Sequence, residues 1–237
     1  MPTDLVLRPA DPRDAAAVAM VHLESRAAAP MPPPTHPEHE VRAWLSGRLG
    51  TDEVWVAERD GRVAGYARLT DVWLDDLYVA PPYAGRGVGS ALLDLAKSRR
   101  PGGFCVWVFE MNAPARAFYA ARGLVELERT DGSANEERAP DIRMAWPGAD
   151  PVAFLRGLID EVDEQLGDLL ARRAALTRAV QPHKAQPDAR DPQRDLQRER
   201  AIAEALARRA PALGAERLQR IVHAIVTESL DAAQDAP

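Results

Sequence analysis

Up to about Trp146 the apolar residues fall into short runs, several of them alternating with polar ones; beyond Pro151 they recur every three or four positions. The first pattern belongs to strands and the second to helices. Segments 4–9 (DLVLRP), 53–59 (EVWVAER), 62–70 (RVAGYARLT), 73–81, 103–110, 124–130 and 141–146 are predicted to be strands. Asp60-Gly61 joins the second and third as a two-residue hairpin turn, since both residue types tolerate positive φ. Segments 91–100 and 114–123 read as helices. Another follows Asp11, Pro12 and Asp14, which provide a cap, a first-turn proline and a first-turn acid. The run PMPPPTHP (30–37) is a predicted loop, because proline extends neither periodic structure. Strands and helices mixed in this way predict an α/β layer around one central sheet.

PGADP (147–151) breaks the chain, and no strand pattern follows it. Leu155, Leu158/Ile159, Val162, Leu166, Leu169/Leu170, Leu176 and Val180 keep helical spacing through 152–180. A second helix is predicted from about Arg194 to Arg209 and a third from about Ala215 to Ala233. The first is on the order of 45 Å long by helical rise. Two shorter helices hardly cover so long a rod, so the pattern predicts an isologous homodimer that buries the stripe against a second copy. The domains expected are 1–147 (α/β) and 152–237 (all-α, three helices), with a linker at 148–151.

The formal net charge of -6 argues against nucleic acid or an anionic membrane as partner. No apolar run approaches the ~18 residues of a membrane span. The first residues lack the basic-then-apolar layout of a signal peptide, which predicts a cytoplasmic protein. Cys105 is the one cysteine. It reads as a small buried hydrophobe, and no Cys/His spacing points to a metal.

In LYVAPPYAGRGVGSALLDLA a strand runs into a glycine-rich turn and then a helix starting near Val88. Gly85, Gly87 and Gly89 let the backbone approach a ligand, and the helix adds the positive end of its dipole, as a pyrophosphate cradle requires. No Gly-Lys-Ser/Thr follows, so this is not a nucleotide-triphosphate loop. Ala84 to Gly89, together with NAPARAFYAARGL (112–124), resemble the two motifs of the GNAT N-acetyltransferase superfamily, and the order of elements over 4–146 agrees. The resemblance implies a mixed central sheet and acetyl-CoA as cofactor. Backbone groups at Tyr78 and Val79 would receive the pantetheine arm, and Arg86, Gly87, Val88, Gly89 and Ser90 the pyrophosphate; Asn112 opens the second motif. Tyr119 would protonate the leaving thiolate. Asp75, Asp76 and Glu110 are alternative bases for the acceptor ammonium. The acceptor is not legible. Ala84 stands where the family has Gln or Arg.

In the helical half, Arg156 and Arg173 are 17 residues apart, about 25 Å along a helix, too far to grip one small molecule from one chain. Asp195 and Glu199 form an i, i+4 pair beside Arg198. The series Arg156, Arg173, Lys184, Asp195, Arg198, Glu199, Ser229 resembles the all-helical chorismate mutases over 152–234. That resemblance implies an intertwined dimer in which Arg156 enters the partner's site, with chorismate as substrate and no cofactor. The [3,3] rearrangement of chorismate to prephenate moves no proton, so the site must position the substrate and stabilise charge growing on the ether oxygen. Arginines suit the two carboxylates, Lys184 the ether oxygen, and Glu199 with Asp195 the hydroxyl.

Three features depart from the family: Pro182 precedes Lys184, the segment from Lys184 to Asp195 is about two residues longer, and Ala233 occupies a polar position, with Gln234 one residue on. Isochorismate pyruvate lyase and 4-amino-4-deoxychorismate mutase chemistry remain alternatives on the same bundle. So do an acetyltransferase whose bundle only dimerises and a non-catalytic acyl-CoA sensor.

Overall fold

The computed structural model describes residues 5–183 and 196–234. The chain forms two compact units, Met1–Arg156 and Gly157–Pro237.

The first unit is a seven-stranded sheet flanked by helices. In chain order it contains β1 (Val6–Pro9), α1 (Ala15–Ala28), α2 (Glu38–Arg48), β2 (Glu53–Arg59), β3 (Arg62–Thr70), β4 (Trp73–Val79), α3 (Val88–Arg99), β5 (Phe104–Phe109), α4 (Ala113–Ala120), β6 (Val125–Thr130) and β7 (Asp141–Trp146). The strand order is β1-β2-β3-β4-β5-β7-β6. Every pairing is antiparallel except β4 with β5.

The Asp60-Gly61 turn forms as the sequence predicts, with φ of 56° and 69°. Asp11 does cap, but it caps a short 3-10 turn, Pro12–Asp14, that precedes α1. Helix α2 was not expected. Leu45 is its one buried residue, and it starts at Pro37 without a side-chain cap, so neither an apolar stripe nor a capping signal marks it in the sequence.

The sheet buries different residues on its two faces. One face packs Leu92 and Leu93 of α3 and Tyr119 of α4 against Phe104, Ile142 and Met144. The other packs Val18 and Val21 of α1 and Leu45 of α2 against Val56 and Tyr66. The buried Tyr66 hydroxyl meets His22 Nδ1 at 2.8 Å. Burial holds the His22 imidazole below its usual pKa. Cys105 is buried and reduced.

Two local features shape β4. Arg68 pairs with Asp76 but Leu69 with Leu74, so Asp75 is an extra residue in the strand. Such a bulge leaves neighbouring side chains on one face. Leu74 stays in the α3/α4 core, while Asp76 and Asp75 meet Arg68 and Thr70 on the other face. The second feature is the ladder to β5, which registers at Trp73↔Cys105 alone. Beyond that point the two parallel strands part.

Segment 148–151, expected to be a linker, is bonded into the first unit. Ala149 N–H donates to Pro101 O at 3.0 Å, and Asp150 Oδ1 accepts from Ala153 N–H at 3.0 Å. Asp150 thereby caps α5 (Pro151–Val180).

The second unit continues α5 and adds α6 (Leu196–Arg209) and α7 (Gly214–Gln234). Helices α6 and α7 pack as an antiparallel pair that buries Ala203, Leu218 and Val222. Its connection closes through Gly214, whose φ is 73°. Helix α5 has no buried residue. Its stripe of Ile159, Val162, Leu166, Leu169 and Leu176 is exposed. Among the described residues no helix is long and apolar enough to cross a membrane.

Gly65 is where β3 lets α3 approach. A Cβ there would lie 2.8 Å from Tyr78 O and 3.0 Å from Val88 Cγ1. Gly65→Ala is expected to cost about 1–3 kcal/mol, measured as a lowered urea midpoint with unchanged slope. His22 links pH to stability in a defined direction. Below its unfolded pKa of about 6.5 the unfolded chain binds a proton that the buried imidazole resists, so this contribution is complete above that pH and falls with acidification. The drop in melting temperature from pH 7.5 to 5.5 should be smaller in His22→Gln than in the natural chain; parallel pH profiles would contradict it.

Candidate active sites

The turn that follows β4 leads straight into α3. Gly85 and Gly87 have φ of 71° and 86°, a region that L side chains avoid. Gly87 caps α3 without any side-chain bond. The first-turn N–H groups, those of Val88, Gly89 and Ser90, have no intrahelical acceptor at this end of a helix. No atom lies within 4 Å of where a Cβ on Gly85 or Gly87 would sit. Gly89 is less constrained, since a Cβ there would make an ordinary 3.5 Å contact with Phe118.

A cation stands beside this turn that sequence reasoning missed. Arg122 Nη2 donates to Ser90 Oγ at 2.6 Å, and its guanidinium lies 4.0 Å from the centre of the Phe118 ring. Only the fold brings α3 and the end of α4 together. Arg86 is exposed, and its carbonyl accepts from Arg59 Nη1 at 3.3 Å.

Where β4 leaves β5, half of its backbone is turned into the opening. Ala80 N–H donates to Ala64 O at 2.9 Å, and Tyr78 O points at Gly65. Residues 78 and 80 therefore sit at the hydrogen-bonded positions of the β3 ladder, and Leu77 and Val79 direct their backbone groups away from β3. The expectation for Val79 fits this geometry, although its carbonyl accepts from Ser25 Oγ at 3.0 Å. The Tyr78 backbone faces β3, and Leu77 is the second strand residue that faces the gap. The Tyr78 ring packs 4.5 Å from His22, and burial pushes its phenol up to about 12.

Tyr119, on the last turn of α4, is 5% exposed. Burial, with the fields of Tyr78 and Asp76, raises its pKa and keeps the hydroxyl protonated. The side-chain oxygen of Asn112 accepts from Ala115 N–H at 3.2 Å and starts α4.

The three candidate bases separate in the structure. Asp76 is buried and bound by Arg68 Nε at 2.5 Å. Glu110 accepts from Arg129 Nη1 at 2.8 Å on the surface. Asp75 accepts from Thr70 Oγ1 at 2.8 Å, and Arg68 Nη2 is 3.8 Å away. Burial raises the Asp75 carboxyl above its usual range. Arg68 also bonds Asp52 at 2.9 Å, and its guanidinium lies 4.9 Å from the centre of the Trp44 ring.

In the second unit Arg173 Nη1 donates to Ser229 Oγ at 2.6 Å and to Ile225 O at 3.1 Å. It borders a cavity of about 190 Å³ lined also by Leu166, Leu170, Ile202, Val222 and Ile225. Glu199 is 6% exposed on α6, with Oε2 3.6 Å from His223 Nδ1 on α7. Arg198 and Gln234 are exposed. Arg156 is exposed on α5, within the first unit. Lys184 and Asp195 lie outside the described residues.

Comparison with known proteins agrees with both geometries. Residues 18–124 match the Acetyltransferase (GNAT) family, and residues 155–234 match Chorismate mutase type II. Peptidyl-lysine N-acetyltransferase YiaC of Escherichia coli is 32% identical over 102 residues, which are 42% of this chain and span 66% of the relative's length. An uncharacterized N-acetyltransferase of Mycobacterium tuberculosis is 35% identical over 112 residues, covering 39% of this chain and 71% of the relative. The solved GCN5-related N-acetyltransferase of Rhodopseudomonas palustris superposes with a TM-score of 0.52 at 28% identity, over 62% of this chain and 98% of its own. The chain belongs to the GNAT acetyltransferase family, and the residues that match Chorismate mutase type II follow its acetyltransferase domain.

Proposed function

We propose that the chain is a bifunctional enzyme: an acetyl-CoA-dependent N-acetyltransferase joined to a chorismate mutase. The observation that carries the first half is the parting of β4 from β5 at Cys105, beside an uncapped helix start behind glycines of positive φ. These residues fit coenzyme A. The α3 amides and Arg122 would hold its pyrophosphate, and backbone groups of Leu77 and Val79 would meet its pantetheine amides on the side of β4 turned away from β3.

When bound, acetyl-CoA supplies an activated thioester. The residues of the chain handle two protons. Asp75, whose raised pKa brings it closer to the working pH, takes the proton that the acceptor ammonium must lose. Asp76 is already committed to Arg68. Tyr119, kept protonated by burial, delivers a proton to the departing sulfur. A C–N bond forms, a C–S bond breaks, and the protons balance. Tyr119→Phe should lower kcat about 100-fold with the KM for acetyl-CoA nearly unchanged, measured as release of free thiol. An unchanged kcat would remove Tyr119 from the chemistry.

For the second half, the burial of Glu199 carries the assignment. A bundle that only dimerised would gain nothing from burying a carboxylate. A substrate hydroxyl would add a donor to this carboxylate, which already lies 3.6 Å from His223. Arg173, held in place by Ser229 and the Ile225 carbonyl, presents its guanidinium to a substrate carboxylate. Lys184 and Asp195 complete the grip as the family resemblance implies, and Arg156 comes from a second copy. The exposed apolar stripe of α5 supports that homodimer. A rate gain of ~10⁶ asks for about 8 kcal/mol, within reach of positioning and charge.

The purified chain should convert chorismate to prephenate, followed by loss of chorismate absorbance. Arg173→Ala should lower kcat/KM by about 10³-fold, and Leu176→Glu should yield monomers without mutase activity. A folded dimer that turns over isochorismate or 4-amino-4-deoxychorismate in preference to chorismate would reassign the substrate, and one that turns over none of the three would refute the mutase.

A further inference from the structure

The sheet face that carries Asp75 also carries an aromatic shelf. Phe104, Val106 and Val108 are buried in the α3/α4 core. Side chains alternate along a strand, so Trp107 lies on the opposite face. It pairs across β5–β7 with Arg143, and its ring lies parallel to that of Trp73, 6.3 Å between centres with 11° between planes. The Arg143 guanidinium covers Trp73 from 4.9 Å, and Glu128 lies 3.5 Å from Arg143. Trp107 remains 42% exposed. It is a flat surface already ordered by its neighbours, so a ring that stacks on it loses little entropy in fixing the indole.

Trp107 shares its sheet face with the proposed base. Asp75 and Trp107 each follow the paired residues Trp73 and Cys105 by two positions, on the two strands that flank the opening. The charge there is one-sided. Arg68 faces Asp52, Asp75 and Asp76, and Arg48 lies 3.9 Å from Asp52, so carboxylates outnumber guanidiniums there. Of the three, Asp75 is the most distant from Arg68 and the most exposed. A cation is favoured at that point and an anion is opposed.

We propose that the acetyl acceptor is an arylalkylamine, with its aromatic ring stacked on Trp107 and its ammonium directed to Asp75. This rests on the acetyltransferase assignment and specifies its substrate class. An aliphatic amine satisfies Asp75 and leaves the indole unused. An aromatic amino acid stacks equally well but brings a carboxylate toward the acidic cluster.

The test uses the full chain with tryptamine, hexylamine and tryptophan. Binding is measured by calorimetry in the presence of CoA, and acetyl transfer by thiol release. Tryptamine should bind about tenfold more tightly than hexylamine and more tightly than tryptophan. Trp107→Ala should erase the preference for tryptamine while CoA binding persists, and Trp107→Phe should keep most of it. Equal binding of the two amines, tryptophan binding as tight as tryptamine, or a preference that survives Trp107→Ala would overturn the proposal. The two assignments fail differently. Acetyl transfer to hexylamine as efficient as to tryptamine would refute the arylalkylamine and leave the acetyltransferase standing. Tight, Trp107-dependent binding of tryptamine without transfer would refute the acetyltransferase and leave the aromatic site.

Discussion

One parallel strand pair sets the architecture of the acetyltransferase unit. In an antiparallel sheet, each strand's hydrogen-bonding groups are consumed by its neighbours. Between β4 and β5 the ladder stops at Trp73↔Cys105, and a wedge of backbone opens. That wedge frees Leu77 and Val79 and lets the helix-start turn lie at its mouth. The bulge at Asp75 has a matching consequence on the other face. Without the extra residue, Asp75 and Asp76 would point to opposite sides of β4, and one of them would enter the α3/α4 core. With it, both reach Arg68. Hydrogen-bond geometry therefore decides where a cofactor can lie and where a base can stand.

The helical unit is governed by what it leaves uncovered. Helices α6 and α7 bury a small core of their own, while α5 exposes an apolar stripe along its length. Such a helix is stable in water only when another surface covers it. The polar contacts between α5 and α7 obey a different rule. Arg173, Ser229 and the Ile225 carbonyl satisfy one another, which holds the guanidinium at the border of an apolar cavity. An arginine fixed in this way loses little freedom when it binds a carboxylate, and that preorganisation is what a reaction without proton transfer requires.

Most of the secondary structure was legible because it rests on local rules. The Asp60-Gly61 hairpin, the strand periods and the long helical stripe each follow from backbone preference and pattern. Helix α2 was not legible, since one buried leucine makes no stripe and Pro37 provides no side-chain cap. The site was legible in part. The glycines at 85 and 87 announce positive φ, and Tyr119 belongs to a motif. The roles of Tyr78 and Leu77 depend on which members of the β3 ladder are hydrogen-bonded, a parity that sequence does not display. Arg122 reaches Ser90 across two helices, and His22 reaches Tyr66 over 44 positions. Such partners are set by tertiary packing alone. Choosing among Asp75, Asp76 and Glu110 required the bulge and the ion pairs around them.

The signs of charge in the two units follow from what each reaction must attract. Acetyl transfer begins with an acceptor that is a cation in water and must become neutral before it attacks. A face with more carboxylates than guanidiniums draws that cation in, and a carboxyl raised by burial takes its proton. Under the proposed mutase activity the substrate is a dianion that keeps every proton, so its site needs fixed cations, and arginine is the residue that burial does not neutralise. A net charge of -6 tells nothing of this division, because it averages an acid-rich sheet face with a bundle in which Arg173 borders an apolar cavity. The local surplus of charge, set by which side chains the fold brings within a few ångströms, carries the chemical information that the total conceals.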